Sequence, residues 1–282
     1  MAEVWDVQRT LQWCTAYLQH HDDEHPRRSA EWLLSAATGL SRVELYAYYD
    51  RPLSSDERDV LRESLKRRGA GEPLQYVTGE AAFRHLVVKT APGVLIPRPE
   101  TELLVQEVLE RGSWGEDARV LEVGTGTGCI ACSLAQEAGA HVVATDVSPQ
   151  ACACARRNVE ALSLDALVEV RETDCACGVD GTFDALVSNP PYIPTPVLGQ
   201  LADEVVGFEP ALALDGGDDG LDMFRRLLAE ALPLVRARGL FACELFEENV
   251  HAAAGLLEQA GAHDVEVVDD LAGKPRIVLA RT

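Results

Sequence analysis

One stretch constrains this chain more than any other. The apolar run Arg119-Val-Leu-Glu122-Val123 passes directly into Gly124-Thr125-Gly126-Thr127-Gly128, and an apolar helical pattern follows at once. A strand that turns through glycines into a helix lets backbone approach a ligand closely and points helix N–H groups at it. The rest of the chain beyond residue 115 keeps the same alternation. Strands are expected at Arg119–Val123, His141–Asp146, 168–170, Phe183–Ser188 and 240–245. Helices are expected at 128–138, at 149–162 behind a Ser148 cap, and at 221–238 and 249–260. Two closing strands, 265–268 and 275–279, have no helix between them, so one must run antiparallel to its neighbour. The pattern predicts an α/β fold: a seven-stranded, mainly parallel Rossmann-like sheet with one antiparallel strand and helices on both faces.

The first 70 residues follow a different rule. Val4, Val7, Leu11, Cys14 and Leu18 recur at helical spacing. Pro26 opens a second helix carrying Trp32 and Leu33, and Gly39 stops it. Ser41 with Glu44, and Ser54 with Glu57, read as capping boxes for a third helix and for a fourth that ends near Gly69. Such a bundle has a thin core by itself, so residues 1–70 are expected to pack on something or to dock a partner. In residues 71–97, Phe83, Leu86, Val87 and Val88 form one β-like run, and Val94, Leu95 and Ile96 a second. Thr90-Ala-Pro-Gly93 between them predicts the turn of a β-hairpin linker. Residues 98–282 then form the larger domain, with Pro99 in the first turn of a helix that carries Glu100-Thr101-Glu102.

Charge narrows the partners. Lys and Arg number 25 and Asp and Glu 46, a net charge of −21, of which only −3 falls in residues 1–75 and −18 in the remaining 207. A domain that grips duplex nucleic acid needs a concentrated basic face, so direct nucleic-acid binding is not expected. No apolar run approaches the roughly 18 residues of a membrane span. The opening Met-Ala-Glu-Val-Trp-Asp carries acid where a secretory signal carries base. A cytoplasmic location is therefore expected. Eight cysteines include one Cys129-x-x-Cys132, but it lies inside an apolar helical pattern and no second pair or His pair completes a zinc set. The expectation is small thiols in a reducing compartment, and no metal.

Asp146 ends the second expected strand of the sheet, 22 residues after Gly124, where a carboxylate can accept hydrogen bonds from both hydroxyls of a ribose. Glycine loop and acid together point to an adenosine-containing cofactor. NAD and S-adenosylmethionine both meet that description. Gly128 comes two residues after Gly126 and Cys129 three, so the third glycine of a dinucleotide fingerprint is not in place, which favours S-adenosylmethionine. Asn189-Pro190-Pro191-Tyr192 follows the fourth strand, at the carboxyl end that faces the ligand crevice in an open α/β sheet. Two prolines fix the local backbone. A flat NH2 group can donate one hydrogen to the Asn189 side-chain oxygen and the other to the Pro190 carbonyl, with Tyr192 over its plane. Positioning is what helps a poor amide nucleophile most.

The order of glycine loop, Asp146 and Asn-Pro-Pro-Tyr resembles the class I S-adenosylmethionine-dependent methyltransferases that modify planar amino groups. Three further stretches narrow the likeness: Gly71-Glu-Pro-Leu-Gln-Tyr76, Leu95-Ile-Pro-Arg-Pro-Glu-Thr-Glu102 and Glu209-Pro-Ala-Leu-Ala-Leu-Asp-Gly-Gly-Asp-Asp-Gly-Leu-Asp222. With the closing Gly273-Lys-Pro-Arg-Ile-Val-Leu279, the chain resembles the HemK/PrmC family of release-factor glutamine N5-methyltransferases along nearly its whole length. That resemblance implies S-adenosylmethionine as methyl donor and class 1 peptide chain release factors as protein substrate. It implies that Gly124, Thr125, Gly126, Thr127 and Gly128 line the cofactor, that Asp146 holds its ribose, and that Asp174 and Cys175 sit near the adenine. Where Cys175 stands, the family often carries an aromatic residue. Asn189, Pro190, Pro191 and Tyr192 would hold the glutamine of a Gly-Gly-Gln loop, with Asn189 also beside the cofactor. Arg98 and Glu100-Thr101-Glu102 would shape the pocket wall, with a structural ion pair as the alternative role for Arg98. After Glu244 the family tends to place a glycine and a glutamine, whereas this chain reads Leu-Phe-Glu-Glu-Asn. Two other readings stay open: a DNA or RNA adenine-N6 methyltransferase, which uses a similar loop but needs a basic groove or recognition insertion, and a non-catalytic cofactor-binding scaffold.

Overall fold

Apolar spacing and caps place the N-terminal helices. The computed structural model describes residues 4–282. In α1 (Val7–Gln19), Val7, Leu11, Cys14 and Leu18 share the buried face, and the Asp6 carboxylate caps the helix by accepting the Arg9 N–H at 2.8 Å. That cap starts the helix too late to include Val4, which is exposed instead of joining the stripe. Pro26 opens α2 (Pro26–Thr38), and Gly39 ends it in the left-handed region. Both capping boxes form, on α3 (Arg42–Ala47) and α4 (Ser55–Gly69). A short α5 (Leu74–Thr78) follows. Val7, Leu11, Leu33, Leu34, Leu61 and Leu65 are at the centre of this unit's own core. The chain divides into two compact units, with the boundary after Glu80.

The hairpin lies earlier than the sequence pattern suggested. Its strands are β1 (Glu80–Phe83) and β2 (Leu86–Lys89), and it turns at Arg84-His85, not at Thr90–Gly93. Arg84 adopts a positive φ of 49°. Its guanidinium is anchored to Glu137 at 2.7 Å and to the Gln106 side-chain oxygen Oε1 at 3.0 Å. Residues 94–96 are not a strand. The Ile96 N–H donates to the Glu209 carboxylate at 3.1 Å instead of to a neighbouring strand, which turns this segment into a wall of the cavity described below.

The larger unit continues through α6 (Pro99–Arg111), β3 (Arg119–Val123), α7 (Cys129–Ala138), β4 (His141–Asp146), α8 (Pro149–Ala161), β5 (Val168–Glu172) and β6 (Phe183–Ser188). After α9 (Asp203–Phe208) and α10 (Asp222–Arg226) come β7 (Val235–Glu244), α11 (Val250–Gln259), β8 (His263–Asp269) and β9 (Pro275–Arg281). The helix expected over 221–238 is shorter. After α10 the chain widens into a π turn over Leu227–Ala231, tightens at Leu232–Leu234, and becomes strand at Val235. Pro233 has no N–H to give and crowds the preceding turn, so the helix cannot run through it.

The sheet order is β5-β4-β3-β6-β7-β9-β8, parallel except for β9, which is antiparallel to both β7 and β8. This is the seven-stranded sheet with one reversed strand that the pattern predicts. Successive strand residues feed opposite faces. Val120, Val142, Val187 and Ala242 join one core with α6, α7, α8 and the hairpin, while Leu121, Val143, Leu186 and Phe241 join the other with α10 and α11. Among the described residues no helix is long and apolar enough to cross a membrane. No cluster of three or more His, Cys, Asp or Glu side chains there could hold a metal ion, and all eight cysteines are free thiols.

Candidate active site

The strand order reverses at β3, whose neighbours are β4 and β6, and this switch point brings three carboxyl ends together. From β3 come the glycines, from β4 Asp146 and from β6 Asn189. They open on a cavity of about 460 Å3, within the roughly 300–1,000 Å3 of small-molecule and cofactor sites. The loop is held by its own backbone: the N–H groups of Gly124 and Thr125 both donate to the Thr145 carbonyl at 2.9 Å. Asp146 accepts the Gly126 N–H on one oxygen and the Ser148 N–H on the other, each at 2.9 Å. Burial pushes its carboxyl above the usual range, while these backbone donors pull it back.

Most of the sequence-selected residues meet here. Gly124, Thr125, Gly126, Thr127, Asp146, Asp174, Cys175, Asn189, Pro191 and Arg98 all line the cavity. Gly128, Pro190, Tyr192 and Glu102 do not. Gly128 has a φ of 80° and lies so close to α8 that an added Cβ would sit 3.1 Å from the Ala155 Cβ, so it serves helix packing. Glu102 is off the buried face of α6 on which Thr101 lies, and its carbonyl accepts from Arg84 at 3.1 Å. Asp174 is paired with Arg226 at 2.8 Å. Cys175 is a buried thiol with a φ of 52°, and its carbonyl accepts the Thr145 hydroxyl at 2.9 Å. Arg98 pairs with the buried Glu209, whose other oxygen takes the Ile96 N–H. It is both a lining residue and an ion-pair partner.

Tyr192 was expected to face the substrate, yet its hydroxyl points back into the protein and donates to Glu244 Oε1 at 3.0 Å. Glu244 Oε2 accepts the Thr101 hydroxyl at 2.7 Å, and Thr101 Oγ1 in turn accepts from Asn189 Nδ2 at 2.9 Å. Glu244 is fully buried, and burial pushes its carboxyl up to about 7 against the two hydroxyl donors and the nearby Arg276. Burial, then the Glu244 charge, pushes the Tyr192 phenol up as well. The resemblance gives Thr101 a place in the pocket wall but no link to Asn189, and Glu244 was not singled out from the sequence. The available signal for Glu244 was an acid inside the otherwise apolar run Leu240-Phe-Ala-Cys-Glu-Leu245, since a charge there is rarely buried without partners. Glu122 in Val120-Leu-Glu-Val123 carries the same signal. It too is fully buried, accepts the Thr125 hydroxyl at 2.8 Å, and is pushed up to about 8 by burial.

Solved structures share this architecture. A methyltransferase from Pyrococcus furiosus superimposes with a TM-score of 0.53 at 22% identity, over 81% of this chain and 98% of its own. The N-terminal domain of human METTL16 in complex with SAH superimposes with a TM-score of 0.52 at 19% identity, over 77% and 83%. The fold is that of a class I methyltransferase. Residues 9–79 match the PrmC N-terminal domain, and residues 88–201 the methyltransferase small domain. The release factor glutamine methyltransferase of Geobacter sulfurreducens is 40% identical over 280 residues, 99% of this chain and 98% of its own. That of Moorella thermoacetica is 43% identical over 260 residues, 91% and 92%. This chain belongs to the release factor glutamine methyltransferase family.

Proposed function

We propose that the cavity binds S-adenosylmethionine between the glycine loop and Asp146, and that Asn189 and Pro190 hold the side-chain amide of a glutamine for methylation at N5. The protein is a methyltransferase acting on that glutamine, in the Gly-Gly-Gln motif of class 1 release factors. The observation that carries the site assignment is that Asn189, Gly124–Gly126 and Asp146 border one cavity. The residues fit the cofactor: a carboxylate has about four acceptor positions, and Asp146, which accepts the Gly126 and Ser148 N–H groups, keeps acceptor capacity for a ribose hydroxyl at the cavity it lines.

S-adenosylmethionine supplies, when bound, an electrophilic methyl group on a positively charged sulfur. The residues of this chain supply position and charge. Asn189 Oδ1 and the Pro190 carbonyl fix the two N–H bonds of the amide, which holds the nitrogen lone pair in one direction. As nitrogen is alkylated its N–H bonds grow more acidic, so both acceptors bind the transition state more tightly than the ground state. The proton leaves afterwards to solvent, and no general base is required. Residues 1–70 dock the protein substrate, because one glutamine side chain offers too little surface for selectivity. The acidity of the larger unit supports a protein substrate over a nucleic acid, and a cytoplasmic location accords with release factors as substrates.

The test is labelling from S-adenosylmethionine with release factor, duplex DNA and tRNA offered separately; release factor should take the label. Asn189→Ala should lower turnover by roughly a hundredfold with cofactor affinity nearly unchanged, whereas Asp146→Asn should weaken cofactor binding as measured by calorimetry. Equal losses of turnover and cofactor affinity in Asn189→Ala would make that residue structural.

A further inference from the structure

We propose that Thr101 and Glu244 are positioning residues that decide which end of the Asn189 side-chain amide faces the cavity. An amide side chain has an accepting end and a donating end of nearly equal shape, and only the accepting end can hold a substrate N–H. The choice is made by the hydrogen bonds behind it. Ionised Glu244 can only accept, so the Thr101 hydroxyl must give its proton to Glu244 Oε2, at 2.7 Å. Thr101 Oγ1 then has only lone pairs to offer Asn189, which must meet it with Nδ2, at 2.9 Å. Oδ1 is left for the cavity. The second Glu244 oxygen takes the Tyr192 hydroxyl, at 3.0 Å, so the same carboxylate anchors both ends of the Asn-Pro-Pro-Tyr segment. The inference rests on the reading that Asn189 accepts a substrate N–H.

Protonation reverses the chain. A neutral Glu244 with its proton on Oε2 donates a hydrogen bond to Thr101 Oγ1, the Thr101 hydroxyl hydrogen turns towards Asn189, and Asn189 must then present Oδ1 to Thr101 and NH2 to the cavity. Two donors would face each other across the substrate amide. Turnover is therefore present while Glu244 is ionised and is lost as pH falls through its titration, which burial has moved up to about 7. The charged and titratable groups facing Glu244 are Arg276 at the start of β9, which favours the ionised form, Glu100 on α6, which opposes it, Tyr192 on the loop and Cys243 on β7 itself. Arg276 is shared with Glu247 and Asp270, and Arg98 faces Tyr192.

The experiment uses the full chain, labelled S-adenosylmethionine and a class 1 release factor. It measures kcat, KM for the cofactor and melting temperature between about pH 5.5 and 8.5. Thr101→Val keeps the shape and deletes the hydroxyl. It should lower kcat at least about tenfold, leave the cofactor KM within about twofold, and lose the acid limb of the pH profile that the wild type shows. Thr101→Ser restores the hydroxyl and should recover both turnover and the limb. Wild-type turnover and an unchanged limb in Thr101→Val, with Asn189→Ala inactive, would overturn this inference and leave the amide-binding reading standing. Undiminished turnover in Asn189→Ala would overturn the reading itself. Should Thr101→Val melt far below the wild type, the wild-type profile and Thr101→Ser decide: a flat wild-type profile, or a serine variant without the limb, overturns the inference.

Discussion

Two acids near the glycine loop show how much a carboxylate's neighbours matter. Asp146 has a backbone N–H on each oxygen, whereas Glu122 has the Thr125 hydroxyl on one oxygen and, among the described residues, no hydrogen-bond partner on the other. Glu122 is fully buried and Asp146 half-buried, and Glu122 is pushed much further, to about 8, with the Asp146 charge adding to the push. Raising a carboxyl in the folded state means that the folded chain holds more protons than the unfolded one between the two titration points. The contribution of Glu122 to stability is then greatest below an ordinary carboxyl pKa and falls as pH rises from about 4.5 towards 8, by up to roughly 1.4 kcal/mol per pH unit. Glu244 adds a decline of the same sign over a narrower window. Glu122→Gln cannot ionise, so its urea-unfolding free energy should fall less steeply than that of the wild type between pH 5 and 8. Parallel slopes would show that Glu122 does not titrate in this range.

At the scale of elements, the loop after β6 depends on a second loop that holds it from outside the sheet. The Ile193 N–H donates to the Leu214 carbonyl and the Gly216 N–H to the Ile193 carbonyl, both at 2.9 Å. Gly220 closes over this clasp with a φ of 75°, and a Cβ there would lie 2.4 Å from the Tyr192 carbonyl oxygen. Backbone cannot yield as a side-chain tip does, and the positive φ adds about 1 kcal/mol or more of strain. Gly220→Ala should therefore lower melting temperature and turnover together. Gly199→Ala, where nothing lies within 4 Å and φ is ordinary, should change neither. Equal behaviour of the two variants in melting and steady-state assays would remove the clasp from the account. The contrast also explains what the sequence could reveal. Capping boxes at Ser41 and Ser54, the strand limits of β4 and β6, and the reversed β9 all follow from neighbours within a few residues or from connection length. The hairpin turn at Arg84 was missed because its anchors, Glu137 and Gln106, are 53 and 22 residues away. For the same reason the Thr101–Glu244 contact, spanning 143 residues, has no local signature, although the acid in an apolar strand marked one end of it.

At the scale of the molecule, the division of labour can be tested because the two units have separate cores and unequal charge. Every residue that lines the cavity lies between Gly93 and Arg226, and its walls come from loops at the carboxyl ends of the strands and from α6, α7, α8 and α10. The helical unit has a core of its own around Leu11, Leu34 and Leu65, and leaves Trp13, Trp32, Val43 and Val60 exposed. Most of the net charge of −21 lies outside it, so the near-neutral unit is the one that an acidic partner surface would meet with least repulsion. If that unit docks the release factor, removing residues 1–79 separates two measurements that otherwise move together. The remaining chain, which keeps β1 and the whole sheet, should bind S-adenosylmethionine with an affinity close to that of the full protein. It should retain the slow methylation of a short peptide containing Gly-Gly-Gln, since the residues proposed to hold the amide, Asn189 and Pro190, both remain in it. Its kcat/KM for intact release factor should collapse, by about a thousandfold if docking contributes some 4 kcal/mol. A circular dichroism melt of the shortened chain is the control for folding. Methylation of intact factor at the full protein's efficiency would assign the helical unit to some task other than docking.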